Sequence, residues 1–334
     1  MLLGRNFIAR MKSRLVICRG LLSSYLFKEF RKQLNITVLM YHEVLEENIN
    51  YDAWTVVKKC EFRRQMEYLK NNYLVISMND ASDIMNRKGK ECEHYALVTF
   101  DDGYSGNYNV VMPIMTELGL PFTVFCSTNY IERGDLYWWD KVIYSALNCR
   151  TKISLTEFFL GVYDFRKSQT AEQRWVEIQR LLTDLKQAGK ETRENIVSVI
   201  MMKNGNSSKA CPMRPLTIEQ VKELANNELV TIGSHSHTHD ILTELSLDEA
   251  YGNILRSRNH LIKWSGQRVN YFSYPNGDYS TELMKAVKNA GFLCAVTTEN
   301  RKWKSTDSVF AIPRIGIGRF DSINKFKATL TGVQ

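Results

Sequence analysis

The run Ala96-Leu97-Val98-Thr99-Phe100, ending in Asp101-Asp102-Gly103-Tyr104, constrains this chain more than any other stretch. Its β-branched and aromatic residues, bounded by polar residues and glycine, predict a short buried strand. Burial pushes the acidic pair to the strand's exit. Neighbouring side chains on a strand point to opposite faces, so Asp101 and Asp102 are set up for different jobs. A strand before an ordinary Asp-Gly turn would look the same, so the rest of the chain has to decide.

Strand-like and helix-like segments alternate on both sides of this run. Ile36–Tyr41, Tyr73–Ile76, Pro121–Cys126, Leu229–Ile232, Tyr271–Tyr274, Phe292–Thr297 and Val309–Ile312 read as further strands. Helices are predicted between most of them, over Glu61–Asn71, Leu247–Trp264 and Thr281–Ala290 and from Val110 to Gly119. Thr217 and Gln220 form a capping box at the start of another. Strand–helix–strand alternation indicates parallel pairing with right-handed crossovers. The expected fold is α/β: an irregular (β/α)7–8 TIM-like barrel spanning about 35–325. Residues 129–215 break the rhythm and read as a helical insertion within it.

His42, Asp101, Asp102, His235–His239, Tyr274-Pro275 and Arg314 all fall at or beyond the C-terminal ends of these strands. In a parallel barrel those ends share one face, where active sites sit.

The seven cysteines are odd in number, scattered, and form no CxxC pair, which favours a reducing compartment and a cytoplasmic location. The net charge of +8 is concentrated at one end: residues 1–32 carry eight Lys and Arg against Glu29 alone, or +7. No basic face is left for nucleic acid. The leader, 1–34, reads as a basic amphipathic helix, suited to peripheral contact with an anionic membrane surface or to packing on the barrel.

Three histidines at 235, 237 and 239 follow a predicted strand. If the strand continues, all three share a face and form a three-histidine metal site. If the chain turns after Gly233, His235 and His239 come together and His237 points away. Imidazole and carboxylate suit zinc or a similar divalent ion, and two histidines plus Asp102 leave positions open for water and substrate. Asp101 then remains beside the metal as a base.

Thr99-Phe100-Asp101-Asp102-Gly103 followed by His235-Ser236-x-x-His239 resembles the polysaccharide deacetylases, carbohydrate esterase family 4 with its NodB homology domain. The resemblance spans roughly residues 36–320. It implies Asp102, His235 and His239 as ligands of a divalent metal, most simply Zn2+, with Asp101 as general base and His237 left out. Two features depart from the usual members. Phe272-Ser273-Tyr274-Pro275-Asn276-Gly277 lacks the arginine of the third motif, and no histidine follows His260 to act as general acid. Leu39-Met40-Tyr41-His42 instead resembles the permuted branch typified by poly-N-acetylglucosamine deacetylases, which makes His42 the expected acid. Arg314 is the expected replacement arginine, orienting Asp101, and the Tyr104 backbone N–H is the expected oxyanion donor.

Tyr274 and Pro275, with Trp138 and Trp139 of the run Tyr137-Trp138-Trp139-Asp140, are expected to contact substrate. The expected activity is removal of N-acetyl groups from amino sugars of a polysaccharide or a lipid-linked glycan precursor. Sugar deformylation, O-deacetylation and an inactive glycan-binding barrel are the alternatives.

Overall fold

The computed structural model describes residues 35–87, 94–166, 170–203 and 208–331. The expected leader helix lies outside the described residues. Strand β1 (Asn35–Tyr41) leads into a small parallel pair, β2 (Glu43–Leu45) with β3 (Val56–Lys58), and then helix α1 (Lys59–Asn72). β4 (Leu74–Val75), α2 (Met78–Arg87), β5 (Tyr95–Phe100), α3 (Met112–Leu118) and β6 (Phe122–Cys126) continue the alternation. Next come α4 (Thr128–Arg133), α5 (Trp138–Asn148), the hairpin β7 (Lys152–Ser154) and β8 (Val162–Asp164), α6 (Ala171–Gln187) and α7 (Lys190–Lys203). The alternation resumes with α8 (Ile218–Ala225), β9 (Val230–Ser234), α9 (Leu247–Ser265), β10 (Tyr271–Ser273), α10 (Thr281–Asn289) and β11 (Cys294–Val296). β12 (Trp303–Lys304), β13 (Ile315–Gly316) and α11 (Ile323–Thr331) complete the described chain.

Six strands run parallel in the order β11-β10-β9-β6-β5-β1. Every residue of β5 and β6 is buried, as expected for strands covered on both faces. The flanking helices start where local chemistry allows. Thr170/Gln173, Thr217/Gln220 and Ser246/Glu249 form capping boxes at α6, α8 and α9, and α3 ends on Gly119 at φ 68°.

The two ends of this sheet approach each other through the segment around Arg314. Ile312 bridges Val296 of β11, and Ile315 and Gly316 pair in parallel with Leu39 and Met40 of β1. The strand expected at Val309–Ile312 is therefore displaced. Pro313 has no N–H to give a ladder, so pairing switches from β11 on one side to β1 on the other as the chain passes it. The curled sheet is the barrel that the alternation predicted.

Helices α5, α6 and α7 share an apolar cluster of their own, in which Ile143, Ile178, Leu181, Leu185, Ile196 and Ile200 are almost wholly buried. Leu45, Tyr51 and Tyr104 from the barrel rim belong to the same cluster, so the helices are seated on that rim.

Candidate active site

The site begins at the exit of β5. Asp101 still follows the strand, its N–H donating to Tyr41 O at 2.9 Å. Asp102 and Gly103 then adopt left-handed conformations, φ 71° and 73°, and reverse the chain. Glycine accepts this freely; an aspartate held there costs on the order of 1 kcal/mol or more and persists only where its surroundings demand it. Here Tyr137 Oη donates to Asp102 O at 2.6 Å. The reversal sends the two carboxylates in different directions.

Asp101 meets Arg314. Nη1 lies 2.8 Å from Oδ1 and Nη2 lies 2.6 Å from Oδ2, a bidentate pair with both side chains almost wholly buried. The guanidinium also donates to Thr297 O at 2.8 Å, Thr99 Oγ1 at 3.1 Å and Ser273 Oγ at 3.1 Å. Burial alone would raise the Asp101 pKa, but Arg314 and the imidazole of His235 outweigh it and hold the carboxyl below its ordinary range.

Asp102 meets two histidines. Its Oδ1 is 3.4 Å from His235 Nε2 and 3.2 Å from His239 Nε2, and ligand atoms of the three residues all lie within 4.8 Å of one another. His235 Nδ1 is 2.9 Å from Ser273 O, a carbonyl that can only accept, so Nδ1 carries the proton and the Nε2 lone pair faces the carboxylate. Asp102 Oδ1 is buried and makes no hydrogen bond of good geometry. A buried carboxylate oxygen opposed to the His235 lone pair is unstable alone and is satisfied by a cation between them. The residues fit a divalent metal.

His237 lies elsewhere. Its Nδ1 is 2.8 Å from Thr128 Oγ1 and its ring stands 5.3 Å from that of His260. Burial, followed by the charge of Arg256, depresses its pKa to about 4. The chain achieves the separation with left-handed residues at Ser236 (φ 65°) and His239 (φ 58°), the turned form of the two geometries. Replacing His237 with alanine should leave divalent-metal binding unchanged by elemental analysis after metal loading; a variant that takes up no metal where the native protein does would return His237 to the ligand set.

His42 follows β1 and lines the same cavity of about 630 Å³ as Asp101, Asp102, His235 and His239. Its Nδ1 is buried without a hydrogen-bond partner among the described residues, and its ring packs edge-on against Trp54 at 5.3 Å. Burial lowers its pKa, against the opposing pull of Asp102 and Asp101. Asn107 Nδ2 donates to His42 O at 2.8 Å, which ties this residue to the turn after β5.

Trp138 and Trp139 also line the cavity, while Tyr274 does not. The expectation that Tyr274 and Pro275 contact substrate needs correcting. Tyr274 is fully buried, with its hydroxyl donating to Phe310 O at 3.0 Å, and Pro275 is buried beside it. The turn after Pro275 instead brings Asn276, at φ 60°, to the cavity wall. Sequence reading also missed Trp54, which is 49% exposed at the cavity. It sits in a loop with no motif around it, so only its type marked it.

Glu43 was missed as well. It is wholly buried, with Oε1 accepting from Val44 N at 2.8 Å and Oε2 from Gly106 N at 3.3 Å. A Cβ at residue 106 would collide with Glu43 Oε1 and with the backbone carbonyl of Val44, so only glycine permits this approach. Burial pushes the Glu43 carboxyl up to about 8 from an ordinary 4.5. Between those values the folded protein keeps a proton that the unfolded chain has released, so stability falls as pH rises, by ~1.4 kcal/mol per unit for one such group. Glu43→Gln should therefore gain stability relative to the native protein from pH 5 to pH 8, by a few kcal/mol in order of magnitude. Urea denaturation across that range measures it; parallel curves would show that Glu43 is already ionised in the fold.

A family model described as polysaccharide deacetylase matches residues 88–295, well over half of the chain. The chain belongs to the polysaccharide deacetylase family. It is thus a hydrolase of amide bonds, in carbohydrate esterase family 4. This deacetylase is 22% identical over 304 residues to the Bacillus subtilis (strain 168) protein YxkH, which is named for the same family. That match covers 91% of this chain and 78% of YxkH. Among solved structures it is similar to the Streptococcus pyogenes deacetylase PplD, in complex with acetate, at TM-score 0.61 and 16% identity, over 89% of this chain and 99% of that one. IcaB from Ammonifex degensii gives TM-score 0.57 and 16% identity, over 89% and 97% of the two chains. At such identities the structural likeness establishes the barrel alone, and the roles within the site rest on its own geometry.

Proposed function

We propose that this deacetylase is a divalent-metal-dependent enzyme that removes N-acetyl groups from amino sugars of a polysaccharide or a lipid-linked glycan precursor. The observation that carries the reading is the Asp102–His235–His239 cluster, with its unsatisfied buried Oδ1, set beside an Asp101 locked to Arg314. Asp102, His235 Nε2 and His239 Nε2 are the residues that hold the ion, with Zn2+ the simplest choice for this ligand set. When bound, it supplies Lewis acidity, which polarises the acetamide carbonyl and makes water nucleophilic near neutral pH.

The chain's own residues do the rest. Asp101 stays ionised through the neutral range and uses its remaining lone pairs to take the proton of the attacking water. Arg314 holds the carboxylate plane in place. The Tyr104 N–H donates to the oxygen on which charge develops. His42 delivers a proton to the departing amine, with burial making its imidazolium a stronger acid than usual. Trp54, Trp138 and Trp139 offer apolar faces for sugar rings along the cavity. The basic leader, residues 1–32, would keep the enzyme at a membrane surface from the cytoplasmic side.

The test is release of acetate from N-acetylated oligosaccharides and from lipid-linked N-acetyl sugars, with and without prior chelation. Acetate that disappears on chelation and returns with zinc supports the reading. Formate instead of acetate makes the enzyme a deformylase, and glycan binding without release of either acid makes it a binding barrel.

A further inference from the structure

The residues at the start of α5 reach the site from outside the barrel and touch its ligand set without joining it. Tyr137 Oη donates to the carbonyl of Asp102, the residue held in the left-handed region. The Tyr137 ring stands 5.7 Å from that of His239, at 73°, and the Trp139 ring stands 4.8 Å from it. Tyr137 and Trp139 are themselves stacked, 4.5 Å apart at 17°. One short segment therefore bears on two of the three ligands, Asp102 through its backbone and His239 through its ring.

A buried acid fixes this segment in turn. Asp140 is fully buried and makes no ion pair among the described residues. Its Oδ2 accepts from Tyr104 Oη at 2.7 Å and its Oδ1 from Tyr51 Oη at 3.1 Å, and Trp139 Nε1 donates to Tyr104 Oη at 3.1 Å. Each hydroxyl has a single proton. Trp139 Nε1 can only donate, so the Tyr104 oxygen accepts there and its single proton is directed to Asp140 Oδ2. Burial pushes the Asp140 carboxyl up to about 7, and a core that needed only filling would hold an apolar residue here. The arrangement makes sense as a device that sets direction: Asp140 orients Tyr104, Tyr104 anchors Trp139, and Trp139 with Tyr137 confines His239.

We propose that Tyr137 and Asp140 are positioning residues that hold Asp102 and His239 in the arrangement that accepts a divalent ion. This rests on the reading of Asp102, His235 and His239 as ligands. Without the Tyr137 hydroxyl, the Asp102 carbonyl keeps only the long hydrogen bond from Ser127 N at 3.5 Å, and its peptide is freer to rotate out of the left-handed conformation and take Oδ1 with it. Partners that orient metal ligands typically contribute ~10–100-fold in affinity.

The test compares the full-length protein with Tyr137→Phe, Asp140→Asn, Tyr104→Phe and the double variant Asp140→Asn/Tyr104→Phe. The apoproteins are titrated with Zn2+ against a chelator of known affinity, the Co2+ forms are examined by visible absorption, and apo denaturation midpoints are recorded. Each single variant should bind Zn2+ ~10–100-fold more weakly and show a changed Co2+ spectrum. The double variant should be no weaker than the worse of its two singles, because both act through one link. Metal affinities within twofold of the native protein would overturn the proposal, even with lowered midpoints, since that is the signature of a merely structural role. Additive losses would overturn the Asp140–Tyr104 link. His239→Ala separates the two levels of argument. If it loses Zn2+ while the positioning variants keep it, this inference alone fails. If it binds as the native protein does, the ligand reading fails and takes this inference with it.

Discussion

Asp101→Asn should reduce turnover by ~10²–10⁴-fold while the protein's affinity for a divalent metal is unchanged. The separation of those two effects follows from the turn at Asp102. Asp101 continues the line of β5 into Arg314, whereas the reversed backbone carries Asp102 to the histidines. An amide at position 101 has nearly the shape of the carboxylate but cannot accept a proton at neutral pH. The substitution leaves Arg314 without its anion, yet the guanidinium still donates to Thr297 O, Thr99 Oγ1 and Ser273 Oγ, so it keeps neutral partners. Acetate release and zinc titration on the same preparation measure both quantities. Turnover within a few-fold of the native enzyme would remove Asp101 as the base.

Arg314→Met should cost ~3–5 kcal/mol of stability, the usual penalty for leaving one member of a buried pair without the other. The pH dependence gives the cause. In the native protein the Asp101 carboxyl sits below its ordinary value, so its contribution is present at neutral pH and is lost as pH falls through the folded value. Without Arg314, burial dominates and the carboxyl rises above its ordinary value. The variant then regains stability on acidification as Asp101 takes up a proton, and its deficit relative to the native protein should narrow from pH 7 to pH 5. Denaturant midpoints across that range, with Asp101→Asn/Arg314→Met as a partial rescue, measure it. A deficit independent of pH, not relieved by the double substitution, would assign the loss to packing.

How much of this was legible beforehand differs by element. The buried run before Asp101 and the histidines after β9 were plain, because apolar runs and paired metal-ligand residues carry their chemistry in their types. The sequence alone left two histidine geometries open. The choice lay in left-handed residues at Ser236 and His239, and neither residue type announces that conformation. Tyr274 was misjudged because a strand exit is a place and not a direction: its ring turns into the core while Asn276 meets the cavity. The last strand was misplaced because Pro313 divides one run between two partners. Asp140 was invisible, since its neighbours Tyr51 and Tyr104 lie 89 and 36 residues away.

The segment that joins β11 to β1 has a further consequence for how the protein is made. Arg314 and Asp101 are 213 residues apart, and the arginine follows β1, β5 and β9 in the chain. A nascent polypeptide that has already formed β1, β5 and β9 holds the histidines and both carboxylates, but Asp101 has no cation beside it. Closure entropy over so long a loop must be met before that contact forms, which favours slow, late completion. A product truncated between Val296 and Arg314 would keep both carboxylates and the histidines yet leave Asp101 without the guanidinium that it meets in the fold.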